Sequence, residues 1–356
     1  MSFVQVDVAQ LATNADYFSS LPETNGTEPA IHLLSYHPDF ETLLGPNVGA
    51  EKLQDLSWQA FHEAGVYNKE DHSLYVTSNY RDGNINITVV SVEDSSVTSK
   101  KFDGLELPNG ATKYFPPGSG DAIGPWQVYC DQGNMDSPSQ LVAVDVDSGE
   151  TKPLLTNFYG RDFASINDVR QHPETGDLWF TDASYGYLQD FRPEPTIARQ
   201  VYRFEPETGR VQVVADGFIQ PNGLEFSPDL KTLYVSDTGA SKENPTGPST
   251  IYAFDVVDSR RLAGRRTFAF VDVGFPDGIH TDTEGNVWTA AGDGVHIFNS
   301  EGVLLGKIYV GEQSNNFAFA PRRVFIFSNR RLWYLYGMNA EGREVCRDFG
   351  TCQRGV

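Results

Sequence analysis

The 356-residue chain is expected to be all-β, a six-bladed β-propeller with four-stranded blades around a central channel. Three observations predict this. Short runs rich in aromatic and β-branched residues recur in units of roughly 55 residues, about four runs per unit. The 33 glycines and 20 prolines are spread between those runs as turn residues. Six polar residues, Glu63, Asn109, Asn167, Asn222, Asp277 and Asn316, fall at the same point of the repeat.

The spacing is near constant. Glu63 is 12 residues before Tyr75, Asn167 is 12 before Trp179, Asn222 is 12 before Tyr234, and Asp277 is 11 before Trp288. The clearest copy opens with Pro221-Asn222-Gly223 and turns at Ser227-Pro228-Asp229. Strands then follow at 232–237, 250–255 and 266–270 before Pro276-Asp277-Gly278 restarts the pattern. The second copy carries an insertion near Pro116-Pro117-Gly118, and the last is short, with Asn316 nine residues before Phe325. The reading is one propeller over residues 1–356. Its first 60 residues help to close the ring, with Ile31–Leu34 expected against the C-terminal strands, because closure removes an exposed sheet edge.

Equivalent positions of a closed repeat converge on its axis, so the six polar residues read as one ring. Glu63 and Asp277 supply two carboxylates, and Asn167 and Asn222 two amide oxygens. Oxygen ligands without Cys or His suit calcium, with magnesium, manganese or zinc as alternatives. Two carboxylates balance a divalent charge, and four ligands leave positions for water or substrate. Taken singly, Pro-Asn-Gly at 108–110 and 221–223 and Pro-Asp-Gly at 276–278 are ordinary turn sequences. That reading does not account for Glu63 or Ile166-Asn167-Asp168 in the same register.

The net charge of −21 argues against nucleic acid and anionic membranes as partners. There is no apolar run of 18 residues and no recognisable leader at Met1, which leaves the compartment open. Asn25-Gly26-Thr27 and Asn86-Ile87-Thr88 match the N-glycosylation pattern. Of three cysteines, Cys346 and Cys352 are spaced to close a small loop, leaving Cys130 free. The sequence does not speak to oligomeric state.

The stretches FHEAGVY (61–67), SINDV (165–169), GDLWFTDASYGYLQDFRP (176–193), PNGLEFSPD (221–229), LYVSDTG (233–239), PDGIHTD (276–282), GDGVHIFN (292–299) and GKIYVG (306–311) resemble the calcium-dependent six-bladed lactonases of the gluconolactonase/regucalcin superfamily. The likeness is greatest to its fungal lactonohydrolases, which open aldonate lactones and pantoyl lactone. The resemblance implies a metal held by Glu63, Asn167, Asn222 and Asp277, and a small-molecule lactone as substrate. Two departures stand out. Sugar-lactonase relatives outside the fungal group carry Arg two residues before the first Asn, where this chain has Ser165; some relatives with a second, structural calcium carry Asp where it has Ala64.

On this reading the enzyme is a hydrolase whose metal polarises the lactone carbonyl. Asp277 is the candidate catalytic residue, as base or nucleophile. Asn109, Asn316, Tyr185 and Tyr187 are candidates for contact with substrate. His280 and His62 read as packed, hydrogen-bonded histidines, and Asp182 and Asp237 as turn acceptors. A phosphotriesterase on the same ring and a non-catalytic protein-binding propeller are the alternatives.

Overall fold

A computed structural model describes residues 1–82, 85–119, 124–241 and 244–349. Among these residues the strands form six sheets, arranged as a six-bladed β-propeller. Blade 1 spans Glu63–Lys100, blade 2 Pro108–Leu155, blade 3 Ile166–Ala215, blade 4 Pro221–Phe270, blade 5 Ile279–Tyr309 and blade 6 Asn316–Tyr336. In blades 1 to 5 consecutive strands pair antiparallel, with the first innermost.

The ring closes with the N-terminal segment, but by a different strand from the one expected. Gly49–Asp55 pairs antiparallel with Arg331–Tyr336 as the outer strand of blade 6. His32–Ser35 instead adds to the outer edge of blade 5 beside Leu304–Tyr309. Blade 6 supplies only three strands of its own, so a strand from the other end of the chain completes it. Both pairings cover edges that would otherwise expose unpaired backbone groups.

The recurring aromatics explain why the blades stack. Six buried clusters fill the spaces between blades, and the second strands supply much of their bulk. Tyr75 and Tyr129 pack between blades 1 and 2, Trp179 between 3 and 4, Tyr234 between 4 and 5, and Trp288 between 5 and 6. Each such side chain removed from water contributes on the order of 2–3 kcal/mol. Together these wedges fix the angle between neighbouring sheets, and so the positions of their inner strands.

Candidate active site

The inner strands of blades 1 to 4 share an irregularity beside the ring position. Pairing slips between Ala64 and Val66, Pro108 and Ala111, Ile166 and Val169, and Pro221 and Leu224. Such bulges re-aim side chains that a regular strand would send to alternate faces. In blade 1 the bulge places Ala64 in the left-handed region at φ 64°, next to Glu63.

The Pro-Asn-Gly triplets turn out to be strand rather than turn, in Pro108–Lys113 and Pro221–Phe226. Their glycines are needed for closeness. A Cβ on Gly110 would lie 2.6 Å from the Asn167 carbonyl oxygen, and one on Gly223 2.6 Å from that of Asp277. Each glycine lets the next blade's ring residue approach the axis.

Carboxylates hold the segments leading into these strands. Asp182 accepts from the N–H groups of Ala164 and Ser165 at 3.0 and 2.7 Å, and Asp237 from those of Ile219 and Gln220 at 3.1 and 2.8 Å. Asp131 does the same for Glu106 and Leu107 in blade 2. These aspartates are acceptors, as expected, but they grip the approach to the ring residue rather than a turn of their own. Arg192, from the YGYLQDFRP stretch, adds bonds to the carbonyls of Phe163 and Ala164 just ahead of Asn167.

Glu63, Asn109, Asn167, Asn222 and Asp277 all line one cavity of about 240 Å3 at the channel mouth. Asn222 Nδ2 donates to Asp277 Oδ1 at 2.6 Å, and Asn315 Nδ2 to Asp277 Oδ2 at 3.3 Å. Asn316 Nδ2 donates to Glu63 Oε2 at 2.8 Å. Asn109 Nδ2 donates to the Asn167 carbonyl at 3.1 Å, and Asn167 Oδ1 is buried without a partner.

The electrostatics are unfavourable without a cation. Burial, reinforced by the charge of Asp277, pushes the Glu63 carboxyl well above the ordinary range. Burial likewise raises Asp277, although the amides of Asn315 and Asn222 act against it. The hydrogen-bond partners of these two carboxylates are neutral amides, and among the described residues no lysine or arginine forms an ion pair with either. Two buried acids and an orphaned amide oxygen fit a hard divalent cation.

Tyr185 also lines the cavity. Its hydroxyl is 3.2 Å from Asn222 Nδ2 and in close contact with Thr238 Oγ1. Tyr187 is 44% exposed and is not brought to the cavity. Asn316 lies behind Glu63 rather than on the cavity wall, which its neighbour Asn315 joins instead. Blade 6 lacks the slip found in blades 1 to 4, and its ladder runs regularly from Asn316 opposite Phe327. A repeat register therefore misses Asn315 by one residue.

His62 is hydrogen-bonded, to Asn329 at 2.9 Å, yet it lines the cavity as well, so the packed reading was incomplete. Burial lowers its pKa to about 4, which keeps it neutral. His280 is packed as expected, against Phe317, with Nε2 3.4 Å from Asn316 Oδ1. Ser165 is fully buried and is not among the residues that line the cavity.

Deeper in the channel lies a second polar group. Arg170 contacts Asp168 at 3.1 Å, Glu225 at 3.2 Å and Glu344 at 3.5 Å, and Arg343 reaches Glu225 at 2.6 Å. Arg343 and Glu344 belong to the C-terminal helix Arg343–Phe349. Glu225, His280 and Glu344 offer ligand atoms within 4.8 Å of one another. Two guanidinium groups already pair with those carboxylates, so this group is a charged plug and a poor cation site. Cys346 of the same helix is in a disulfide, whereas Cys130 is free and buried. Cys352, expected as its partner, is outside the described residues.

Residues 134–329 match the SMP-30/Gluconolactonase/LRE-like region family. The chain belongs to that family. Lactonohydrolase oryL of Aspergillus oryzae is 30% identical over 339 residues, covering 87% of this chain and 74% of its own. A gluconolactonase of Zymomonas mobilis is 27% identical, covering 83% and 82%. The solved structure of a gluconolactonase from Xanthomonas campestris superposes with a TM-score of 0.70 at 29% identity, covering 87% of this chain and 94% of that one. This member of the SMP-30/gluconolactonase family is a lactonase-type hydrolase.

No helix among the described residues is long and apolar enough to cross a membrane.

Proposed function

We propose that Glu63, Asn167, Asn222 and Asp277 hold one divalent cation, calcium by preference, and that the cavity above them hydrolyses aldonolactone- and pantoyl-lactone-like rings to hydroxy acids. The observation that carries this reading is the pair of buried carboxylates, each met by neutral amide donors, that shares one cavity with Asn167, whose Oδ1 is unpartnered. The ring donors are oxygens alone, which favours calcium over softer ions.

A bound divalent cation would supply Lewis-acid polarisation of the lactone carbonyl. The chain supplies the remainder. Asp277, which lines the cavity, would take the proton of an attacking water or attack the carbonyl itself. Glu63 acts as a ligand only. Ten of the 21 described residues that line the cavity are Asn or Gln, a wall suited to hydroxyl groups on a neutral substrate. Asn109, Asn315 and Tyr185 are the polar groups beside the ring that would orient it, and Asn316 acts indirectly by holding Glu63.

Proton release on addition of γ- and δ-lactones, run beside a phosphotriester, tests the substrate class. Faster turnover of the lactones supports the proposal. Preference for the phosphotriester, or no turnover of either, would overturn it.

A further inference from the structure

Three hydroxyls tie neighbouring blades together at the ring. Thr77 Oγ1 donates to the Asn109 carbonyl at 2.9 Å, Thr181 Oγ1 to that of Asn222 at 2.7 Å, and Ser236 Oγ to that of Asp277 at 2.8 Å. Each stands 14 residues after its own blade's ring residue, on the strand paired with it. All three are fully buried. Thr181 Oγ1 also accepts from the N–H of Asp168 at 3.1 Å, which directs its proton to Asn222.

Blade 2 breaks the pattern. Its residue before Asp131 is Cys130, and the Asn167 carbonyl is held instead by the Asn109 side chain. Asn167, Asn222 and Asp277 are thus each fixed through the main-chain carbonyl by a donor from the preceding blade. Fixing that carbonyl limits rotation of the backbone bearing the side chain, and so the placement of its oxygen toward the axis.

We propose that Thr181 and Ser236 are positioning residues for the metal ring, holding Asn222 and Asp277 at the spacing that one cation needs. This rests on the proposed ring, and the test separates the two ideas. Calcium binding is titrated by calorimetry into metal-stripped wild type, Thr181→Val, Ser236→Ala, Thr181→Ser and the control Thr88→Val. Thr88 is equally buried, in blade 1, and its hydroxyl has no partner. Loss of an outer partner of a metal ligand typically costs roughly 10–100-fold in affinity.

Thr181→Val and Ser236→Ala are each expected to lose at least about tenfold in calcium affinity. Thr181→Ser, which keeps the hydroxyl, and Thr88→Val are expected to bind like wild type. Wild-type binding with both hydroxyl-deleting variants unchanged would overturn the positioning role and leave the ring standing. Loss in Thr181→Val without rescue by Thr181→Ser would overturn it too, by assigning the effect to packing. A wild type that takes up no divalent cation would overturn the ring and the positioning role with it. Ser236→Ala keeps the test decisive if Thr181→Val fails to fold.

Discussion

Replacing Asp277 by asparagine should make the metal-free protein more stable while removing its chemistry. The folded-state pKa of Asp277 is raised from 3.8 to about 7, chiefly by burial. At about 1.4 kcal/mol per unit, the shift of about 3 units sets a ceiling of about 4 kcal/mol of destabilisation at pH 8. Asparagine carries no charge and can still meet Asn222 and Asn315 through a reoriented amide, so a gain of about 2 kcal/mol is the working figure. Urea unfolding in chelator at pH 8 measures it. At pH 5 only about one of those 3 units is still expressed, so the gain should fall to roughly a third, and it should approach zero only below the unfolded pKa of 3.8. The same variant should lose calcium stabilisation and roughly 100-fold or more of its lactone hydrolysis. A variant clearly less stable than wild type at pH 8 in chelator would refute the reasoning, because it would mean that the buried charge is already compensated.

Three further outcomes follow from the same geometry. Glu63 and Asp277 both have folded-state pKa values above their unfolded ones, so the folded state holds protons that the unfolded chain releases. Metal-free stability should therefore fall as pH rises from about 4 to about 7, and saturating calcium should flatten that slope; urea midpoints rising across the window in chelator would contradict it. Arg343→Met leaves Glu225 buried with one cationic partner fewer and should cost about 3 kcal/mol, partly recovered by adding Glu225→Gln, as chemical denaturation would show. Tyr185→Phe removes the hydroxyl beside Asn222 and should lower kcat/KM about five- to tenfold with little change in melting temperature.

The blade repeat was legible because two periods coincide in the sequence, that of the aromatic second strands and that of the polar ring residues. Both are consequences of closure, since every blade must wedge against its neighbours and every inner strand must meet the axis. The ring residues of blades 1, 3, 4 and 5 could be read from spacing for the same reason, and the structure brings those four, with Asn109 of blade 2, to one cavity. Asn315 could not be read, because blade 6 lacks the bulge and shifts the cavity position by one residue. The closing strand was misplaced for a comparable reason: Ile31–Leu34 has the stronger apolar pattern, but Gly49–Asp55 has the free partner edge. His62 reaches the cavity although alternation along the strand beside Glu63 would turn it away. The glycines of the Pro-Asn-Gly triplets carried a signal that composition alone misassigns. Left-handed turns and close approach both call for glycine, and only the neighbouring blade distinguishes them.

The most direct test of the whole account is lactone hydrolysis by the metal-stripped protein as calcium is added back. Activity should be absent in chelator and return in proportion to calcium, saturating at one ion per chain, and Glu63→Gln should shift that titration to far higher calcium. Full activity in chelator, unchanged by added calcium and by Glu63→Gln, would contradict the assignment of the ring as the centre of the reaction.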